Sequence, residues 1–138
     1  MSLNARSYVF DAGVISLFYA GARGVKPYFD KVHSGRARGF VSEVNLAEFY
    51  YKTVEKVGMT TAELRYVQVR SSKLRCVPTN EQTTRRAAVW KVERRGLSLA
   101  DCFALATRED KAEVLLTTDS LLKDAGGRTA VLIPVPSS

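Results

Sequence analysis

The sequence predicts an α/β fold: a parallel β-sheet covered by helices on both faces. Short apolar runs alternate with longer stretches whose apolar residues recur at helical spacing, the order that successive β-α-β units produce. Two of those runs, Tyr8-Val9-Phe10 and Val114-Leu115-Leu116-Thr117-Thr118, each close on an aspartate, Asp11 and Asp119. The length of 138 residues, with 46% apolar and 25% charged residues, matches one ordinary globular domain over 1–138.

The elements follow in order. Strand one covers about Ser7 to Phe10, and Ala12 to Ala20 reads as a short helix that Asp11 can cap. Lys26-Pro27 opens a second helix through His33, since proline is tolerated in a first turn. Gly39-Phe40-Val41 is a short second strand; Ser42 is the N-cap of a helix to about Val57, which Gly58 stops. Thr60-Thr61-Ala62-Glu63 has the form of a capping box for a helix with the stripe Ala62, Tyr66 and Val69. Leu74 to Pro78 is a third strand, and Thr79 to Arg95 is a basic helix ended by Gly96. Ser98 opens a helix through about Arg108, and Glu113 to Thr118 is the fourth strand. Ser120 to Ala125 is a short helix, Gly126-Gly127 a turn, and Thr129 to Val135 a fifth strand placed at an edge by Pro134. No repeat, linker or low-complexity segment interrupts this pattern.

Composition bounds the partners. Lys and Arg total 21 against 14 Asp and Glu, a formal net charge of +7, which suits either a polyanion such as nucleic acid or simple solubility. The basic residues are spread as Arg36 and Arg38, Arg85 and Arg86, Arg94 and Arg95, so the fold must assemble any footprint. The absence of a long apolar run and of a signal-peptide core gives the expectation of a soluble, cytoplasmic chain with no membrane partner. Cys76 and Cys102 lie in apolar contexts and read as buried reduced thiols.

In an open parallel sheet, sites form beyond the carboxyl ends of the strands. Asp11 and Asp119 end two strands, and Glu48 and Asp101 fall on the apolar stripes of two helices, Glu48 between Val44 and Tyr51 and Asp101 between Leu97 and Leu105. Carboxylates set against a core are costly unless something positive compensates them. A divalent cation is one economical answer, because Mg²⁺ and Mn²⁺ prefer hard oxygen ligands. Three of the acids also have an ordinary explanation: Asp11 and Asp119 as N-caps, and Asp101 as the third helical residue of a Ser-x-x-Asp box with Ser98. Only Glu48 has no local role. Glu43 reads as a favourable partner of its helix dipole.

Other chemistries fit poorly. His33 is the single histidine and reads as a helix-surface residue, which rules out two-histidine cleavage of RNA and disfavours a Ser-His-Asp hydrolase. No phosphate-binding P-loop exists, and Gly21-Ala22-Arg23-Gly24 is too short for a dinucleotide fingerprint. A phosphatase with an aspartyl nucleophile would want a second acid where Gly13 stands.

Four segments carry a family resemblance: Val9-Phe10-Asp11-Ala12-Gly13-Val14, Val41 to Phe49, Leu97 to Cys102, and Leu115 to Asp119. In this order and spacing the chain resembles a PIN domain, close to the small VapC-type toxins, over nearly its whole length. The resemblance implies a three-layer α/β/α sandwich with a five-stranded sheet of order 3-2-1-4-5. It implies an acidic quartet of Asp11, Glu48, Asp101 and Asp119, with Thr117 steadying the last acid. Asp11, Asp101 and Asp119 would hold Mg²⁺ or Mn²⁺, and Glu48 would bind metal or orient water for the cleavage of RNA. It further implies a protein antitoxin and a homodimer. Exposed Arg, Lys and Tyr would bind the strand, with Arg23, Arg36, Arg38, Arg85 and Arg86 as candidates. Two alternatives stand beside it: a catalytically silent RNA- or protein-binding module on the same fold, and a housekeeping RNA-processing nuclease. Cys102 follows the third acid, where the family varies.

Overall fold

The computed structural model describes residues 2–136. Five parallel strands form one sheet of order β3-β2-β1-β4-β5: β1 Ser7–Phe10, β2 Arg38–Ser42, β3 Arg75–Val77, β4 Val114–Thr117 and β5 Ala130–Leu132. Seven α-helices join them: α1 Ala12–Tyr19, α2 Lys26–His33, α3 Glu43–Val57, α4 Met59–Ser71, α5 Glu81–Glu93, α6 Leu99–Lys111 and α7 Ser120–Gly126. The architecture is the expected α/β/α sandwich.

Alternation along the strands builds the two cores. Tyr8, Phe10, Val41 and Leu116 face one side, where Val14 and Ile15 of α1, Tyr28, Phe29 and Val32 of α2, and Leu46 and Phe49 of α3 cover them. Val9, Phe40 and Leu115 face the other, under Ala87 of α5, Cys102 and Leu105 of α6, and Leu122 of α7. Successive strand residues point to opposite faces, so a sheet wrapped on both sides needs such unbroken apolar runs. Both cysteines are free thiols, Cys102 buried and Cys76 half-buried.

Most predicted boundaries agree within a few residues, and the differences have local causes. α4 begins at Met59 rather than behind a Thr60 cap, because Gly58 adopts φ 94 and turns the chain directly from α3 into α4. Thr60 and Glu63 therefore lie inside the helix. The stripe Ala62, Tyr66 and Val69 does face inward. α5 begins later than Thr79 because Asn80 and Thr83 form a reciprocal capping box. β5 stops at Leu132, short of Pro134, and lies at the sheet edge. His33 is exposed, with Nδ1 at 2.8 Å from the Phe29 carbonyl.

The chain runs outward from β1 to β2 and β3 on one side and to β4 and β5 on the other. The switch in direction lies between β1 and β4, where the crevice at their carboxyl ends is the natural place for a ligand.

Candidate active site

Asp11 stands at that crevice, one residue past β1. It is the N-cap of α1, with Oδ1 accepting from the Val14 N–H at 2.9 Å and Oδ2 from the Thr117 hydroxyl at 2.5 Å. It is only 6% exposed. The strand pairing Phe10↔Leu116 brings Thr117 alongside, and the Thr117 oxygen also accepts the Asp119 N–H at 3.0 Å. One hydroxyl thus joins the first acid to the backbone of the last. Asp119 caps α7, its Oδ1 accepting from the Leu121 N–H at 2.8 Å and from the Leu122 N–H at 3.4 Å. Gly13 permits this closeness, since a Cβ there would lie 2.3 Å from the Thr118 hydroxyl oxygen.

Asp101 is the third residue of α6. Its Oδ2 accepts the Ser98 N–H at 3.2 Å while the Ser98 hydroxyl accepts the Asp101 N–H at 3.1 Å, the reciprocal box anticipated from Ser-x-x-Asp. Glu48 projects from α3, its side chain 16% exposed and 3.2 Å from the Lys52 ammonium. The stripe assigned to it needs correction: Tyr51 is 52% exposed, and the buried face of α3 is Asn45, Leu46, Phe49 and Thr53. Glu48 borders that face instead of lying within it.

Asn45 fixes the distance between these two helices. It is 1% exposed; its amide donates to the Ala100 carbonyl at 3.0 Å, and its carbonyl oxygen accepts from the Ser42 hydroxyl at 2.5 Å. α3 belongs to one layer and α6 to the other, so this tie crosses the rim of the sheet and holds Glu48 and Asp101 on the same side of the crevice. Asn45 falls inside the Val41 to Phe49 segment, where the sequence alone points to no role for it. Its signal was a buried-type position three residues after a cap, which alone does not distinguish it from a turn residue.

The four acids feel one another. Burial pushes the Asp11 carboxyl up to about 6; hydrogen bonds from Thr117 and Val14 oppose the rise, and the charges of Asp101 and Glu48 add to it. Burial also raises the Asp101 carboxyl, against its bonds to Ser98, and Asp119 and Glu48 push it further. Such mutual repulsion requires the carboxylates to be gathered in one region. They are not, however, drawn tightly onto one point: among the described residues no three His, Cys, Asp or Glu side chains form a closed metal-holding group. Each acid is tethered by its own cap or ion pair, and like charges resist closer approach.

The donor set nevertheless suits a hard divalent cation. Asp101 Oδ1 and Asp119 Oδ2 receive no hydrogen bond from the described residues, and Glu48 pairs with Lys52 alone among them. Free carboxylate oxygens beside a buried, proton-hungry Asp11 are the ligands that Mg²⁺ or Mn²⁺ takes, with water completing the shell.

Of the proposed strand-binding cations, Arg36 and Arg38 lie before and at the start of β2, the end of the sheet away from the acids. Arg85 pairs with Glu81, and Arg86 makes a two-pronged bond to Glu109. Arg23 sits in the short turn before α2, where it lines a hollow with Phe18 and Lys26. The cation beside the acids is Lys52, which the sequence reading missed. Partial burial works against its charge, but Glu48 and Asp101 help hold its ammonium above the ordinary lysine range. Its place four residues after Glu48 was a readable signal.

Comparison with known proteins adds a family assignment. The model of the PIN domain matches residues 8–128. No curated protein sequence matches the chain. Among solved structures, it is similar to the sarcin-ricin loop cleaving toxin VapC20 of Mycobacterium tuberculosis, at 17% identity and TM-score 0.69, covering 86% of this chain and 95% of that one. VapBC2 of Rickettsia felis, bound to a DNA fragment from its promoter, gives 14% identity and TM-score 0.67 over 91% of this chain and 98% of the other. A toxin–antitoxin complex from Klebsiella pneumoniae gives 16% identity and TM-score 0.66 over 90% and 95%. At such identities the likeness is one of fold.

Proposed function

The chain belongs to the PIN domain family, and on that premise we propose that it is a Mg²⁺- or Mn²⁺-dependent endoribonuclease, one nuclease domain over 1–138 that acts as the toxin of a toxin–antitoxin pair. The observation that supports the reading is that the charges of Asp11, Glu48, Asp101 and Asp119 act on one another beside the β1/β4 switch point, with the Asp11 carboxyl pushed up chiefly by its burial.

Asp101 and Asp119 would hold the cation through the oxygens their caps leave free, and Asp11 through a remaining lone pair on an oxygen already fixed by Val14 or Thr117. When bound, it would lower the pKa of a water and neutralise charge on the phosphate and the leaving 3′-oxygen. Glu48 would orient that water and accept its proton. Thr117 would fix the Asp11 carboxylate in place, and the Ser98 and Asn45 contacts would keep Asp101 and Glu48 aligned. Water adds to phosphorus as the P–O3′ bond breaks, so the fragments carry a 5′-phosphate and a 3′-hydroxyl. The likeness to toxins, two of them in antitoxin assemblies, supports a protein antitoxin as partner. No helix of the described residues is long and apolar enough to cross a membrane.

The alternative, a silent binding module, draws on one observation: every acid also has a local cap or ion-pair role. End-group analysis of RNA incubated with the protein and Mn²⁺ separates the two. New 5′-phosphate ends, absent in chelator, are expected; intact RNA would overturn the nuclease reading, and ends bearing 2′,3′-cyclic phosphate would overturn hydrolysis by a metal-activated water.

A further inference from the structure

An acidic cluster repels the polyanion it is meant to cleave, so cations must lie close by to hold the strand. α3 carries them in a row. Glu48, Lys52 and Lys56 follow at intervals of four and lie on one face of the helix, a line of about 12 Å leading away from the acids. Beyond Glu48 the row opens onto a hollow of about 340 Å³ between α1, α3 and α4. Lys52, Lys56 and Arg65 line it, together with Ser16, Thr53 and Gly13. Gly13 is two residues from Asp11 and packs on Thr118, next to Asp119, so the hollow shares a wall with the candidate active site.

Local roles explain parts of this arrangement. Lys52 pairs with Glu48, Lys56 complements the carboxyl end of α3, and Arg65 lies over the Tyr19 ring at 5.8 Å. None explains why the three, from two helices, meet around one hollow. Among the described residues neither Lys56 nor Arg65 makes an ion pair. The Ser16 hydroxyl is likewise without a hydrogen-bond partner there, leaving a neutral donor in the same wall.

We propose that this hollow is a phosphate subsite: Lys52, Lys56, Arg65 and Ser16 hold a backbone phosphate of the RNA strand next to the one being cleaved. The inference rests on the ribonuclease reading and adds the strand's path, from the acids along α3 toward the α1–α4 gap. Two ammonium groups and one guanidinium meet a phosphate as charge-assisted donors, and Lys52 bridges the acids to the subsite. A substrate ending at the scissile phosphate, with nothing to fill the hollow, would bind weakly.

The test is the salt dependence of binding of a fluorescent single-stranded oligouridine to Asp11→Asn protein, with and without Lys56→Gln and Arg65→Gln. Each neutralised phosphate contributes about 0.7 to the slope of log K against log salt for single strands, so emptying this one subsite with the double change should flatten it by up to about 0.7. Lys56→Gln alone, at an exposed position, should remove part of that change without touching the fold. RNA should also shift the amide resonances of Ser16, Thr53 and Val57 in the Asp11→Asn parent. An unchanged slope in a parent that binds RNA, or shifts confined to other surfaces, overturns the subsite alone. A parent that binds no RNA overturns the ribonuclease reading and the subsite with it.

Discussion

Replacing Asp11 with Asn should stabilise the cation-free protein at neutral pH, although it removes a residue assigned to the chemistry. Burial pushes this carboxyl from 3.8 up to about 6, a rise of about 2 units, and at about 1.36 kcal/mol per unit the folded state carries roughly 3 kcal/mol of penalty when Asp11 is ionised. At 6% exposure, solvent screens little of this. The sign follows from linkage: the folded carboxyl holds its proton more tightly than the unfolded one. Wild type is therefore most favoured below pH 3.8 and loses stability as pH rises through about 6. Asn has nearly the same shape, keeps an oxygen for the Val14 N–H, and carries no charge. Urea unfolding in chelator, from acid to neutral pH, should show the two proteins nearly equal at the acid end. The variant should then gain up to about 3 kcal/mol at neutral pH. Saturating Mg²⁺ should cancel much of that gain, since a ligand at 100 times its Kd adds about 2.7 kcal/mol to the protein that binds it. A variant less stable than wild type at neutral pH in chelator, or a difference that does not change with pH, would refute the reasoning.

Three further outcomes follow from named contacts. Glu48→Gln should leave the melting temperature nearly unchanged, because its partner Lys52 is 57% exposed and such pairs contribute little, while Mn²⁺-dependent cleavage should fall by about 10²–10³. Gly13→Ala should destabilise the fold by about 1–3 kcal/mol through the clash with Thr118, and adding Thr118→Ala should restore most of it in a urea melt. Asn45→Ala should cost about 1 kcal/mol by removing the amide bond to the Ala100 carbonyl and the acceptor of the Ser42 hydroxyl proton, and should lower turnover by loosening Glu48 against Asp101.

The sequence made the fold legible wherever local rules act in isolation. Unbroken apolar runs located β1 and β4, Ser42 and Ser98 located two helix starts, and Lys26-Pro27 located a third. It misplaced the start of α4 because Gly58, read only as a stop, also turns the chain into the next helix. The four acids stood out as candidates because a carboxylate beside an apolar run or stripe calls for a partner, although caps account for Asp11, Asp101 and Asp119 locally. What periodicity could not supply was the orientation of α3: Val44 and Tyr51 look apolar, yet the helix is rotated to bury Asn45 and Phe49. Asn45 and Lys52 escaped notice for the same reason, since a tie across the sheet rim and a cation beside a cluster exist only after the helices pack.

The most direct measurement is Mn²⁺-dependent RNA cleavage by wild type and by Asp11→Asn, Glu48→Gln, Asp101→Asn and Asp119→Asn, singly and as the Asp11/Asp101 pair. If the four carboxylates act as one centre, each single change should reduce the rate by about 10²–10³, and the pair should be little worse than either alone. Chelator should abolish cleavage in wild type. Cleavage that survives chelator, or that persists in any two of the single variants, would contradict the account.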